Sequence, residues 1–201
     1  MPAVLDRVCA LPVLDAYRRT VVPLAAGRVL EVGFGTGLNL PYYAVDRVER
    51  LWGLDPGVEM QGRALARIAE SGLDVELIGC SGEEIPMETD SIDTVLVTYT
   101  LCSIPDVTQA LGEMRRVIKP GGRLLFSEHG LAPEPGVQGW QHRLTPPWRA
   151  VAGGCHLNRD VPKMLRGSGF RIDRLEQGYF PGMAGWFKPL AFNSWGVATP
   201  Q

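Results

Sequence analysis

Residues 28–37, R-V-L-E-V-G-F-G-T-G, constrain the fold more than any other stretch, because an apolar run gives way at once to glycines in alternate positions. Val29, Leu30 and Val32 suit a strand buried on both faces. Gly33, Gly35 and Gly37 allow a tight turn in which the backbone approaches a ligand with no Cβ in the way. A strand running into such a turn, with a helix expected to start from it, reads as a nucleotide-cofactor loop. Two details narrow the cofactor. The dinucleotide fingerprint G-x-G-x-x-G needs its third glycine at 38, where this chain has Leu38. Glu31 stands at the mouth of the loop, where a carboxylate repels a pyrophosphate but accepts from the amine of an amino-acid-like ligand.

Composition limits the remaining classes. A chain of 201 residues, 45% hydrophobic, fits one domain with no need of a second. Net charge is −2, from 20 basic against 22 acidic residues, and basic residues occur in nothing longer than the pairs Arg18-Arg19 and Arg115-Arg116. The electrostatic footprint of a nucleic-acid binder is missing. Cys9, Cys80, Cys102 and Cys155 are widely spaced with no C-x-x-C, so they read as reduced thiols of a cytosolic protein and not as a zinc site or disulfide framework. No apolar stretch has the length of a membrane span, and no signal peptide is expected.

Taken in order, residues 11–25 place Leu14, Tyr17, Val21 and Leu24 at helical spacing behind Pro12. The chain then predicts a short helix broken by Pro41 (38–43), a second strand to Leu54, and a helix over 58–71 with Met60, Ala64, Leu65 and Ile68 inward. A fourth strand ends in T-Y-T-L-C-S-I-P (98–105), and Asp106 is expected to cap the next helix with Gln109 reaching back. A fifth strand, 123–128, runs into Glu128-His129-Gly130. Residues 130–158 break the periodicity with Pro133, Pro135, Pro146 and Pro147, while Trp140 and Trp148 argue for order. A last helix over 159–168 and strands over 170–179 and 190–198 complete the chain, with 181–189 as an apolar connection.

The segment E-V-G-F-G-T-G resembles motif I of the class I methyltransferases that use S-adenosylmethionine, and the later pieces follow in the same order. Asp55, after the run Arg50 to Leu54, matches the acidic residue that holds the ribose hydroxyls, with Pro56 beside it. In V-E-L-I-G-C-S-G-E-E-I-P, Ser81, Gly82 and Glu83 align with the usual D-A-E of the adenine loop, Ser81 departing from the commoner aspartate. Met60 falls where the family packs a side chain on the adenine, or else in ordinary core. S-I-D-T-V-L-V-T-Y-T-L is similar to the fourth strand, from which Thr98 and Leu101 are implied cofactor contacts, and K-P-G-G-R-L-L-F-S-E to the turn and fifth strand. The resemblance implies an α/β fold: a doubly wound, mostly parallel seven-stranded sheet of order 3-2-1-4-5-7-6, last strand antiparallel, with helices on both faces. It also implies one methyltransferase domain over 1–201. Within it, residues 1–26 carry an N-terminal lid helix that either brings Tyr17 and Arg18-Arg19 to the cofactor or packs on the sheet edge, and 130–158 form a substrate-side insert.

Methyl transfer from a sulfonium is an in-line displacement, so positioning and exclusion of water come first and a base is optional. His129 and His156 are the candidate bases, set against a purely structural role for each. His142 lies in the same region, and the sequence separations of the three histidines match no standard metal-ligand spacing, so no metal is expected. V-T-Y-T-L-C-S-I-P, F-S-E-H-G, G-G-C-H-L-N-R-D and F-N-S-W-G-V-A look most like the thiol S-methyltransferase-like group and its bacterial relatives, some labelled phospholipid N-methyltransferases. No apolar N-terminal anchor like that of the membrane-attached members is expected from this sequence. The aromatic 130–158 insert, the apolar 181–189 connection and the absence of a basic run favour a small hydrophobic acceptor. The pKa of a thiol, about 8.5, ranks it before an amine, which must shed a proton, and an amine before a hydroxyl, which needs a strong base. A cofactor-binding protein without catalysis is the alternative from another class.

Overall fold

The computed structural model describes residues 11–57, 61–180, 182 and 185–201. Its centre is a sheet of order β3-β2-β1-β4-β5-β7-β6, in which β1 (Gly27–Val32), β2 (Val48–Leu54), β3 (Val75–Ile78), β4 (Ile92–Thr98) and β5 (Ile118–His129) run parallel. β6 (Phe170–Tyr179) and β7 (Phe192–Pro200) form an antiparallel hairpin, with β7 antiparallel to β5. This is the implied doubly wound order.

Alternation along the strands divides the core in two. Val29, Leu51, Leu96 and Leu125 face one side, where Val21 of α1 (Pro12–Val21) and Ala64 of α2 (Gln61–Ser71) cover them. Leu30, Val32, Val95, Val97, Leu124 and Phe126 face the other, against Leu111 and Met114 of α3 (Val107–Val117) and Leu165 of α5 (Val161–Gly167). Each fully buried large side chain such as Leu30 or Phe126 stabilises the fold by roughly 2–3 kcal/mol relative to exposure. The alternation also fixes polar positions. Glu31 and Thr98 sit two residues beyond Val29 and Leu96 on strands paired with Glu31 opposite Leu96, so both point to the α1 side.

Four local expectations change. No α-helix starts from the glycine loop; Leu40–Tyr42 and Val45–Arg47 are single 3-10 turns, Pro41 having entered where an α-helix would need a donor. Leu65 is 59% exposed, so α2 buries Ala64 and part of Ile68 but turns Leu65 outward. Asp106 caps α3 through Gln109 N at 3.0 Å, but Gln109 Nε2 bonds Glu83 O, and the Asp106 amide is taken by Glu83 Oε1 at 2.7 Å. The 130–158 region is mainly a helix, α4 (Pro135–Val151), which keeps Pro146 and Pro147 inside it. Gln141 anchors this helix by accepting from Ala132 N and donating to Gly130 O and Pro189 O.

Candidate active site

The glycine loop is locked to the end of β2. Gly33, Gly35 and Gly37 take φ of 79°, 56° and 76°, a region that side-chain-bearing residues rarely enter. A Cβ on Gly33 would lie 2.0 Å from Thr100 Oγ1, which leaves glycine no substitute there. Gly33 N and Phe34 N donate to Leu54 O at 2.8 and 3.2 Å, and the Phe34 ring packs over Gly53. Asp55 closes the arrangement: Oδ2 accepts from Gly35 N at 2.9 Å and Oδ1 from Gly57 N at 2.7 Å. Its carboxylate is thereby oriented at the carboxyl end of β2, with Pro56 exposed beside it. Met60 lies outside the described residues.

Glu31 is 1% exposed and carries the most constrained carboxylate of this edge. Its Oε1 accepts from Asn39 Nδ2 at 2.9 Å and its Oε2 from the Tyr43 hydroxyl at 2.6 Å, while Asn39 Nδ2 also reaches Thr98 Oγ1 at 2.9 Å. Burial raises its pKa to about 7 against those bonds and the Arg18 charge, which favour the ionised form, and Asp55 adds a small upward push. Glu31 and Thr98 are thus brought together through Asn39, a residue the sequence motif does not single out.

The adenine-loop candidates are arranged differently. The Ser81 hydroxyl donates to Glu83 Oε2, and Glu83 spends its other oxygen on the start of α3. Gly82 passes so close to β1 that a Cβ would meet Val32 Cγ1 at 2.9 Å. Leu101 is fully buried in the core cluster, with its amide donating to Glu128 Oε1 and its carbonyl accepting from Arg159.

Tyr17 packs edge-on against Trp195 at 4.7 Å and against Phe180 at 5.6 Å, and its hydroxyl donates to Tyr179 O. Its neighbour Arg18 is 2% exposed, with the guanidinium 5.6 Å over the ring of Tyr99. Tyr99 itself, at the end of β4, has φ of 53°, the kind of local strain that accumulates at functional sites. Glu128, the penultimate residue of β5, is fully buried; its Oε1 accepts from Thr100 N and Leu101 N, while burial lifts its pKa to about 7. A carboxylate just beyond the apolar run Leu124 to Phe126, at the carboxyl end of the strand, is the sequence signal that could have found it.

The two candidate bases separate. His129 Nε2 faces Cys155 Sγ at 2.8 Å. The Cys155 thiol is held protonated by its contact with Cys102 and by burial. His156 Nδ1 lies 3.0 Å from Cys102 O; a carbonyl only accepts, so the proton is on Nδ1 and the lone pair on Nε2. His142 is exposed on α4 and bonds Asn158. Cys102, His129 and Cys155 place their ligand-type atoms within 4.8 Å of one another, a grouping that the spacing argument against a metal did not anticipate.

These residues fit an adenosyl amino-acid cofactor. The loop can approach it closely, Glu31 and Asp55 are oriented acceptors for an amine and for hydroxyls, and the buried atoms Asn39 Oδ1, Arg18 Nε and Glu128 Oε2 find no hydrogen-bond partner among the described residues. A cleft of about 440 Å³ lined by Thr89, Arg115, Lys119 and Gln201 lies at the opposite edge of the sheet and contains none of them.

Comparison with known proteins agrees with the geometry. Residues 30–126 match the methyltransferase domain family. The thiol S-methyltransferase TMT1B of Rattus norvegicus is 35% identical over 153 residues, 74% of this chain and 62% of that protein. The phosphatidylethanolamine N-methyltransferase of Cereibacter sphaeroides is 37% identical over 116 residues, 56% of each. A S-adenosylmethionine-dependent methyltransferase from Aquifex aeolicus superposes with a TM-score of 0.65 at 19% identity, covering 98% of both chains. The alignment thus spans less than two thirds of the length of the thiol methyltransferase.

Proposed function

We propose that this chain is a class I S-adenosylmethionine-dependent methyltransferase that methylates a small hydrophobic acceptor, with a thiol preferred; the matched methyltransferase domain and the similarity to named methyltransferases support that reading. The observation that carries the cofactor half is the union of three left-handed glycines with Asp55 and the buried Glu31 at one sheet edge. When bound, the cofactor supplies an electrophilic methyl on a sulfonium. Asp55 and Glu31 then hold the two ends of the molecule, ribose hydroxyls on one and the amino group on the other. Thr98 and the adenine loop around Ser81, Gly82 and Glu83 are assigned supporting contacts, and Tyr17 belongs to the aromatic wall that excludes water above them.

The acceptor half follows from the surroundings. Beyond β4 and β5 the edge is walled by Tyr17, Tyr99, Phe180, Phe192 and Trp195, which favour an apolar body. A thiol, with a pKa of about 8.5, needs only a mild base to react as thiolate. His156 offers one in its Nε2 lone pair, whereas Cys155 already occupies His129 Nε2. The similarity to a protein named a thiol S-methyltransferase points the same way. An amine on a lipid head group is the second reading, favoured by the exposed aromatics Trp140, Trp186 and Phe187 beside the cations Arg143 and Lys188.

Accumulation of S-adenosylhomocysteine is the assay, with an aryl thiol, its amine and alcohol analogues and phosphatidylethanolamine vesicles as acceptors. The thiol is expected to react fastest and His156→Ala to slow it. Turnover of an amine with an inert thiol reverses the ranking; tight cofactor binding with no turnover of any acceptor leaves a binding protein.

A further inference from the structure

Cys102, His129 and Cys155 come from three different elements: the turn after β4, the last residue of β5, and the glycine turn that follows α4. Their Sγ, imidazole nitrogen and Sγ lie within 4.8 Å of one another, and His129 Nε2 is 2.8 Å from Cys155 Sγ. Both cysteines are buried, in one small apolar cluster with Ala152 and the flank of Trp148. The backbone holds each donor in place. Cys102 O accepts from His156 N at 2.8 Å, Cys155 N donates to Ala152 O at 3.1 Å, and the residue opposite His129 in the β5–β7 ladder is Asn193.

Two thiols and an imidazole are soft to borderline donors that suit zinc, and in a tetrahedral site with bonds of about 2.0–2.3 Å neighbouring donors stand roughly 3.5–3.8 Å apart. A trio already within 4.8 Å needs only side-chain adjustment to close on such an ion. We propose that Cys102, His129 and Cys155 bind one zinc ion at the carboxyl end of β4 and β5, leaving a fourth position that the acceptor thiol fills as thiolate. Three protein donors plus one open position is the ligand count of catalytic rather than structural zinc. Arg159 stands beside the trio, where its charge interacts with both cysteines and with Glu128. Zinc uptake displaces the protons that the Cys102 and Cys155 thiols hold in the free chain, and these pass to solvent. With the acceptor bound, three thiolates, one neutral imidazole and a dication carry a net charge of about −1 by formal count, which Arg159 offsets.

The acceptor part of this assignment rests on the thiol-methyltransferase reading; the metal part does not. On coordination the acceptor S–H bond breaks and its proton passes to His156 Nε2 and then to solvent, because a metal-bound thiol is held deprotonated. A sulfur lone pair of the thiolate forms the new S–CH3 bond while the methyl–sulfonium bond of the cofactor breaks, its electron pair remaining on the departing sulfur. The products are S-adenosylhomocysteine and a neutral thioether, a weaker ligand that leaves the ion.

The test uses the full chain, purified under reductant and loaded with zinc or with cobalt(II) as a spectroscopic substitute. One zinc ion per chain and a thiolate-to-cobalt charge-transfer band are expected, and both weaken by at least about 100-fold in Cys102→Ser, Cys155→Ser and His129→Gln, more than loss of an outer-sphere partner costs. His142→Gln, on the exposed face of α4, is the control that leaves them unchanged. Calorimetry with S-adenosylhomocysteine confirms that every variant is folded, and reports separately on the cofactor site. Thiophenol added to the cobalt form is expected to change its d–d spectrum. A reduced, cofactor-competent wild type that takes up neither metal overturns the site, as does quantitative formation of a Cys102–Cys155 disulfide in a chain that never bound metal. Undiminished thiol methylation after chelation of the metal overturns the acceptor role.

Discussion

Glu31 makes the cofactor assignment testable through pH alone. Four groups set its charge: Asn39 and Tyr43 donate to it, Arg18 from α1 favours its ionised form, and Asp55 opposes it, all against the larger cost of burial. In the free protein its pKa is about 7, so the carboxyl is mostly neutral at pH 6 and mostly ionised at pH 8. A ligand whose ammonium group pairs with the ionised form must bind more weakly as the pH falls. Between about pH 8 and pH 6 the ionised fraction drops roughly tenfold, equivalent to about 1.4 kcal/mol of S-adenosylhomocysteine affinity. In Glu31→Gln this slope disappears, and affinity at about pH 8 is lower by about 1.5–3 kcal/mol, the usual worth of a hydrogen bond to a charged group. Glu128 also stands near 7, which is why the variant, and not the wild-type curve alone, is decisive.

Stability must move in the opposite sense. The folded-state pKa lies above the unfolded value of 4.5, so the native chain holds the extra proton between the two. The associated stability is therefore complete below about pH 4.5 and is lost as the pH rises through about 7, at most about 3 kcal/mol in all. Glu31→Gln is expected to unfold at higher denaturant than wild type at about pH 8 and to lose that advantage near pH 4.5. Calorimetric titrations and urea unfolding at these pH values measure both effects. Cofactor affinity that is flat with pH in the wild type, or equally sloped in the variant, refutes the pairing of Glu31 with the ligand's amine.

Three further outcomes follow from the geometry. Asp55→Ala removes the acceptor for Gly35 N and Gly57 N and the proposed ribose contact; S-adenosylhomocysteine binding is expected to weaken by about 1–3 kcal/mol in calorimetry. Gly33→Ala forces a Cβ to 2.0 Å from Thr100 Oγ1 at a positive φ; it should destabilise the chain by at least about 1 kcal/mol in urea unfolding, with partial recovery in Gly33→Ala/Thr100→Gly. Phe126→Ala empties a fully buried position in the core against α3 and α5; a loss of about 3–5 kcal/mol is expected, read as a lowered thermal midpoint.

What was legible in the sequence is what a local pattern encodes. β1, its glycines and Asp55 lie in short stretches whose residue types are each demanded by backbone conformation, and their strand order followed from the resemblance. Helix α4 was not legible, because it buries only Gln141 and Thr145 and so has no apolar period, and because Pro146 and Pro147 argue against a helix that packing nonetheless sustains. The capping of α3 misled for a different reason: Asp106 and Gln109 have the right spacing, but Glu83, far away in sequence, competes for the same donors. The trio Cys102, His129 and Cys155 is invisible to any spacing rule, since strand order and not sequence separation brings its members together.

The distribution of buried polarity separates scaffold from site. Thr94 is buried toward the amino end of β4 and is fully used within the fold, exchanging bonds with the backbone of Ala26. Arg18, Glu31, Asn39, Thr98, Glu128 and Asn193 are buried at the carboxyl edge. There the accounting differs: among the described residues Arg18 Nε, Asn39 Oδ1, Glu128 Oε2 and Asn193 Oδ1 find no partner, nor do the indole nitrogens of Trp148 and Trp195, whereas toward the opposite edge Thr199 Oγ1 is in the same position. An unpaired buried donor or acceptor costs about 1–3 kcal/mol, so a fold selected for stability alone would replace these side chains with apolar ones. Their concentration at one edge, around two carboxylates whose burial favours the neutral form and beside a strained Tyr99, is the arrangement of a surface completed by ligands. The glycine loop with Glu31 and Asp55 accounts for one part of that surface. Glu128, Trp148 and Asn193 belong to the other, around His129, on the side proposed for the acceptor.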